Sequence, residues 1–87
     1  MKARFNLGAL ADLADIGAYI AVDNPTAAAD LVEAIEQVAT LIGQFPKMGQ
    51  GTNKQHFRKF PVGKYLLVYE ITHNEVVIHY VRHSARQ

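Results

Sequence analysis

The sequence contains no cysteine, and this absence removes several classes of protein at once. Disulfide frameworks, thiolate zinc sites and cysteine nucleophiles all require that side chain. Serine occurs once, at Ser84, and no upstream aspartate is placed to complete a Ser–His–Asp triad. No apolar run approaches the roughly 20 residues that a membrane-spanning helix needs. We therefore expect a soluble, cytoplasmic protein without acyl-transfer chemistry.

The length of 87 residues is small, and 49% of the residues are hydrophobic. A chain of this size can build one small core, and this hydrophobic fraction argues against disorder. Separate cofactor and substrate domains do not fit into it. We expect a single domain spanning residues 1–87.

Positive charge is scarce in the first half of the chain. Residues 1–46 contain two basic residues against six acidic ones, a net charge of −4. Residues 47–87 contain seven basic residues against two acidic ones, a net charge of +5, and all four histidines. This asymmetry indicates an acidic or nucleic-acid partner for the second half, or only a basic sheet beside acidic helices.

Two amphipathic helices are predicted in the first half. Apolar residues between positions 10 and 21 recur at intervals of three and four, which indicates about four helical turns. Asn24 and Pro25 mark a break, because asparagine caps helices and proline fits their first turn. A second apolar stripe runs from Ala28 to Ile42, and Gly43 is a candidate stop. So short a break predicts an antiparallel helical hairpin.

The rest of the chain is dominated by strand signals. Residues 44–55 contain two glycines and a proline, which indicates a loop. Strands are predicted at residues 2–6, 56–60, 65–71 and 75–81, with turns at 61–64 and at His73-Asn74. The element order β-α-α-β-β-β predicts an α+β fold, with the helical hairpin packed on one face of a small antiparallel sheet.

Both faces of this sheet are predicted to be largely apolar. A two-residue turn at His73-Asn74 pairs Thr72 with Glu75, Glu70 with Val77, Val68 with His79, and Leu66 with Val81. Two helices cover only one face. The second face then carries Leu66, Val68, Glu70, Val77, His79, Val81 and His83. An exposed patch of this kind indicates a partner surface, unless a loop or the chain ends cover it.

Candidate chemistry is limited to histidine and arginine near the end of the chain. His79 and His83, with Arg82 and Arg86, have the proton carriers and cations that RNA cleavage needs. Along a straight strand the two histidines lie about 13 Å apart, too far to share one phosphate. The alternative for His79 is a structural role beside Val68. No compact His, Asp and Glu set indicates a metal site, and we expect no cofactor.

Four stretches of the sequence carry a family resemblance. They are ALADLADIGAYIAVDNPTAA (9–28), LIGQFPKMGQ (41–50), FRKFPVGKYLLVYEI (57–71) and VVIHYVRHSARQ (76–87). Together they resemble the ParE branch of the RelE/ParE superfamily of type II toxin–antitoxin toxins. The resemblance implies a toxin neutralised by a ParD-like antitoxin, whose C-terminal segment folds onto an apolar face. ParE toxins typically poison DNA gyrase, whereas RelE toxins cut mRNA on the ribosome.

Departures from the RelE pattern favour a binding toxin over a nuclease. RelE-type ribonucleases place an arginine where this chain has Leu66. The first of their two lysines corresponds to Arg58 and the second falls near Phe60, while their late arginine corresponds to Arg86. Their C-terminal helix has no counterpart before Gln87. Metal-free RNA cleavage needs several positioned acid, base and cationic groups, and too few of them are present.

The resemblance leads to three hypotheses with named residues. In the first, the chain blocks gyrase by binding, without catalytic residues. Its antitoxin-binding residues are then Leu66, Val68, Val77, His79, Val81, Arg58 and Arg86, and its target-binding residues are Lys59, Lys64, Arg82 and Arg86. The second is a RelE-like mRNA endonuclease with Arg58, Arg86, His79 and His83 as catalytic residues. The third is a non-toxic homologue that only binds an antitoxin. The first predicts no direct nucleic-acid binding by the chain alone and no membrane contact.

Overall fold

The computed structural model describes residues 1–86, including the backbone but not the side chain of Arg86. Its helices and strands are β1 (Lys2–Phe5), α1 (Leu7–Ala21), α2 (Pro25–Gln44), β2 (Gln50–Gly51), β3 (Phe57–Val62), β4 (Tyr65–Ile71) and β5 (Glu75–His83). Short 3₁₀ turns cover Pro46–Met48 and Ser84–Arg86. The predicted α+β class and the helical hairpin are confirmed, and the two-residue β2 is an addition. Among the described residues, no helix is long and apolar enough to cross a membrane.

Both helices have an asparagine as the capping residue at their N-terminus. The Asn6 side chain accepts a 2.8 Å hydrogen bond from the Ala9 amide, and the Asn24 side chain accepts one of 3.0 Å from the Ala27 amide. Each bond satisfies a first-turn N–H group that the helix itself leaves unpaired. The predicted stop at Gly43 is wrong, because α2 continues to Gln44.

Gly43 has a packing role instead. A Cβ atom at this position would lie 2.8 Å from the Met1 carbonyl oxygen and 3.3 Å from the Ala3 amide nitrogen. Only glycine therefore allows the end of α2 to approach the start of the chain so closely.

The sheet has the strand order β1-β5-β4-β3-β2. Strands β2 to β5 pair antiparallel, whereas β1 pairs parallel to β5, with Lys2 beside Glu75 and Phe5 beside Ile78. The sheet is therefore mostly antiparallel, with its first strand added beside its last.

The core lies between the helical hairpin and one face of the sheet. The helices contribute Ala9, Leu13, Ile35, Ala39 and Ile42, and the sheet contributes Val62, Leu67, Tyr69, Val76, Ile78 and Val81. All are buried, and the larger of these side chains each stabilise the fold by roughly 1.5–3 kcal/mol through burial.

A β-bulge changes the register between β4 and β5. Glu70 lies opposite Val77 as predicted, but the register shifts between Val68 and Tyr69. Val68 then pairs with Tyr80, not with His79 as predicted.

The bulge also moves Val81 to the opposite face from the one predicted. It lies beside Leu67 rather than Leu66, and only 3% of it is exposed. Its amide N–H donates to Asp12 Oδ2 of α1 at 3.0 Å. The prediction that Val81 lines the uncovered face is wrong, because one extra residue in β5 reverses the alternation beyond it.

Candidate functional site

The face of the sheet turned away from the helices is the open face. From the strand register, its residues include Lys2, Arg4, Phe57, Lys59, Pro61, Leu66, Val68, Glu70, Glu75, Val77, His79, Tyr80 and Arg82. It includes the predicted residues Leu66, Val68, Val77, His79, Lys59 and Arg82. The structure thus brings six of the sequence-predicted site residues onto one surface.

The aliphatic side chains of the open face are less exposed than predicted. Leu66 is 9% exposed and Val77 is 6% exposed, although no helix covers them. Tyr80 is instead the large apolar residue at the surface, with 41% exposure. An exposed aromatic ring in a polar setting is typical of a contact residue.

His79 is held between Asn6 and Glu70. Asn6 Oδ1 accepts the helix-capping bond, so Asn6 Nδ2 is the atom that faces His79 Nδ1 at 3.2 Å. An amide NH₂ group only donates, so Nδ1 accepts and the proton of the neutral ring lies on Nε2. Nε2 donates to Glu70 Oε1 at 3.0 Å. Both nitrogens of His79 are therefore hydrogen-bonded within the chain.

Three rings form a row across the open face. The centroids of the Phe57 and His79 rings are 5.0 Å apart, and those of His79 and Tyr80 are 6.0 Å apart. A cation lies over each end: Lys54 Nζ is 4.4 Å from the Phe57 centroid, and the Arg82 guanidinium is 4.2 Å from that of Tyr80.

Charge is divided between the two layers of the molecule. The acidic residues of α1 and α2 are Asp12, Asp15, Asp30, Glu33 and Glu36, and neither helix contains lysine or arginine. Cations are concentrated in the sheet and its loops, and Lys64 lies exposed in the turn between β3 and β4. The basic sheet beside acidic helices is therefore the arrangement present, and it leaves the open face cationic.

Arg58 does not join the open face. It pairs with Tyr69, whose side chain is in the core, and its Nη1 donates to the Gly49 carbonyl at 2.7 Å. Tyr69 reinforces this contact, because its hydroxyl donates to the Pro46 carbonyl and accepts from the Gly49 amide. The alternation of β3 thus directs Arg58, predicted to bind the antitoxin, to the loop at residues 46–49 rather than to the open face.

The four residues of the nuclease hypothesis do not converge among the described residues. His83 pairs with Tyr65 on the helix-covered side, with ring centroids 5.3 Å apart, and its Nδ1 accepts from the Ala85 amide. His79 is on the opposite face, and Arg58 is bound to backbone carbonyls. The side chain of Arg86 lies outside what the structure describes.

Sequence reasoning missed Tyr80, Phe57 and Lys54. A strict alternation places Tyr80 on the covered face together with Ile78. One feature of the sequence pointed to the irregularity in β5. Ile78 and Val81 are both aliphatic but three positions apart, whereas residues on one face of a regular strand are two or four positions apart. The sequence does not single out Phe57 or Lys54. Phe57 begins β3 and Lys54 lies in the loop before it, and residues at such positions are expected to be exposed to solvent.

Solved structures share this arrangement of helices and sheet. A chain of the chromosomal ParDE toxin–antitoxin system from P. aeruginosa is 17% identical, with a TM-score of 0.83 and 95% of each chain covered. A chain of the toxin–antitoxin complex RelBE2 from Mycobacterium tuberculosis is 24% identical, with a TM-score of 0.70 and 94% of this chain and 95% of that one covered. Among curated proteins, no relative matches the sequence.

The two-helix, five-stranded fold is thus one that solved toxin–antitoxin structures also contain. The family model of the ParE toxin of type II toxin–antitoxin systems, parDE, matches residues 3–87. The chain belongs to the ParE toxin family.

Proposed function

We propose that the free chain inhibits DNA gyrase by binding to it in the cytoplasm, and that a ParD-like antitoxin holds it inactive. The observation that carries this proposal is the open face, which combines free cations with an exposed aromatic ring. Membership of the ParE family supports it. Of the nuclease candidates, His83 and His79 lie on opposite faces of the sheet and Arg58 is bound to backbone carbonyls, so binding is the mode of action we assign.

The antitoxin contacts the apolar part of the open face. Tyr80 is the anchor, and Leu66, Val68, Val77 and His79 form the floor beneath the bound segment. Acidic residues of the antitoxin pair with Lys59 and Arg82, which have no carboxylate within 4.0 Å in the described chain. Burial of Tyr80 and desolvation of these pairs supply both affinity and specificity.

Gyrase is contacted by the same cations. Lys59, Lys64 and Arg82 lie on the open face or at its turn, so a segment bound there covers them. Antitoxin and gyrase then compete for one surface. Competition explains neutralisation without any change of shape in the toxin.

A supercoiling assay with antitoxin-free protein tests this proposal. We expect dose-dependent inhibition that the antitoxin reverses, and about a tenfold or greater loss of inhibition for Arg82→Glu combined with Lys59→Glu. Asp30→Lys is the control, because it changes an exposed charge on α2, away from the open face. Inhibition that survives the double charge reversal would contradict the assigned surface. No inhibition by folded protein would contradict gyrase as the target, and ribosome-dependent mRNA cleavage would then be measured.

A further inference from the structure

Two adjoining hollows lie at the Ile71 end of the sheet, away from Leu66 and Tyr80. The first has a volume of about 460 Å³ and a mostly apolar lining that includes Met1, Phe45, Pro46, Met48 and Ile71. The second has a volume of about 320 Å³ and a lining that includes Lys54, His56, Phe57 and Arg58. Lys47 and Ile71 belong to both, so the hollows meet along a shared wall. We call them the paired hollows.

The loop at residues 46–49, next to both hollows, is held in place by side chains of β3 and β4. The Tyr69 hydroxyl binds the Pro46 carbonyl at 2.7 Å and the Gly49 amide at 3.0 Å, while Arg58 binds the Gly49 carbonyl. Gly49 fits closely, because a Cβ atom there would lie 2.5 Å from the Tyr69 hydroxyl. A loop fixed in this way offers a preformed site, which lowers the entropic cost of binding.

The second hollow has cationic walls without a counter-charge. Lys47, Lys54 and Arg58 line it, and no aspartate or glutamate does. Glu75, which pairs with Arg4, and Glu70, which accepts from His79, are not among the residues that line it. An anion in this hollow would meet positive charge that no carboxylate lining it, among residues 1–86, neutralises.

The rim of the first hollow indicates a polypeptide occupant. Phe45 is 62% exposed although it lines the hollow, and Met1 is also exposed. A small anion would leave both side chains in water, whereas a peptide crossing the rim would cover them.

We propose that the paired hollows bind an acidic peptide segment of a partner protein. A large apolar side chain occupies the first hollow, and an adjacent carboxylate occupies the second beside Lys47, Lys54 and Arg58. The site adjoins the open face at Phe57 and Lys54 but lies away from Leu66 and Tyr80, and it does not depend on the antitoxin or gyrase assignments.

A titration of ¹⁵N-labelled protein with two matched peptides tests the proposal. The probes are acetyl-Glu-Phe-Glu-amide and acetyl-Gln-Phe-Gln-amide, which differ in charge but hardly in shape. We expect the acidic peptide to shift amide signals of residues 45–58 and to bind about tenfold more tightly than the neutral one. Equal affinity for both peptides, or shifts confined to the open face, would overturn the assignment.

Variants separate the two halves of the site. Lys47→Glu should weaken the acidic peptide about tenfold and leave the neutral one nearly unchanged. Phe45→Ala should weaken both peptides. Lys64→Glu is the matched control, because it makes the same charge change in the turn at the other end of β4. It should leave the affinity for both peptides unchanged. Unperturbed spectra of the free variants establish that they are folded.

A nucleotide provides the competing outcome. Uridine 5′-monophosphate carries an anionic group and a flat ring, as a nucleic-acid partner would. If it bound the paired hollows more tightly than the acidic peptide, the site would belong to a nucleic acid and the peptide assignment would be wrong.

Discussion

Asn6 is a single residue that fixes both the start of a helix and the protonation of a histidine. Its Oδ1 caps α1 at the Ala9 amide, and its Nδ2 donates to His79 Nδ1. The side-chain amide of Asn6 cannot rotate by 180° without losing the helix-capping bond, so it keeps the His79 proton on Nε2. Asn6 and Glu70 therefore favour the same tautomer, in which Nε2 donates to Glu70.

Asn6→Ala should change the histidine as well as the stability. The lost cap should cost about 1 kcal/mol in urea unfolding, and ¹⁵N shifts of the His79 ring should show protonation of Nδ1 in part of the population. Asn24→Ala is the control, since it removes the cap of α2 at a similar cost in stability but lies away from His79. Unchanged ring shifts in Asn6→Ala would refute the link.

Tyr69 gives the fold a dependence on alkaline pH. Burial raises the pKa of the Tyr69 hydroxyl above its usual value of 10.0, against smaller lowering effects from the Gly49 hydrogen bond and the Arg58 charge. A group whose pKa is higher in the folded state than in the unfolded state stabilises the fold below the unfolded pKa. That stability is lost as the pH rises through the folded pKa.

Unfolding measured between pH 8 and 12 checks this dependence. Tyr69→Phe should cost about 1–3 kcal/mol at neutral pH, because the Gly49 amide and the Pro46 carbonyl lose their partner. It should also flatten the loss of stability above about pH 10. Tyr19→Phe, at an exposed position on α1, should change neither the stability at neutral pH nor its loss at alkaline pH. If Tyr69→Phe lost stability at alkaline pH as steeply as the unmodified protein, another group would be responsible for the effect.

At the scale of whole elements, β5 is tied to α1 beyond the end of β1. The last β1–β5 pair is Phe5 beside Ile78, and the Val81 amide donates to Asp12 of α1. A buried N–H group without an acceptor is costly, so the helix carboxylate satisfies this one.

Asp12→Ala should destabilise the protein by about 1–3 kcal/mol in urea unfolding. Asp12→Asn keeps an acceptor oxygen and should recover most of this loss. Asp15→Ala, on an exposed part of the same helix, should change the stability by less than about 0.5 kcal/mol. Equal losses for Asp12→Ala and Asp15→Ala would show that the Val81 contact contributes nothing.

The elements could be predicted from the sequence where the cause is local. Asn24-Pro25 marks its helix start, and His73-Asn74 marks its hairpin, because caps and turns depend on a few adjacent residues. The bulge could not be derived, since it depends on how β5 pairs with β4 and not on a few adjacent residues. The same shift moved Tyr80 onto the candidate site and Val81 away from it. The paired hollows depend on contacts between distant segments, and the sequence gives no sign of them.

For the molecule as a whole, the separation of charge predicts how binding depends on salt. The helices are acidic and the sheet layer is cationic, so the field of the protein orients an approaching acidic partner toward the open face. The association rate with the antitoxin should fall as salt rises from about 20 mM to 300 mM, while the dissociation rate changes less. Stopped-flow mixing measures both, and an association rate independent of salt would contradict electrostatic orientation.

The parallel pairing of β1 with β5 has a consequence for the order in which the protein folds. Lys2–Phe5 pair with residues 75–78, so β1 cannot join the sheet until those residues have been synthesised. The helices can form early, but the sheet closes only after residues 75–83 have left the ribosomal exit tunnel. Asn6, which orients His79, depends on the same closure. A nascent chain thus has no finished open face until that segment has emerged from the ribosome.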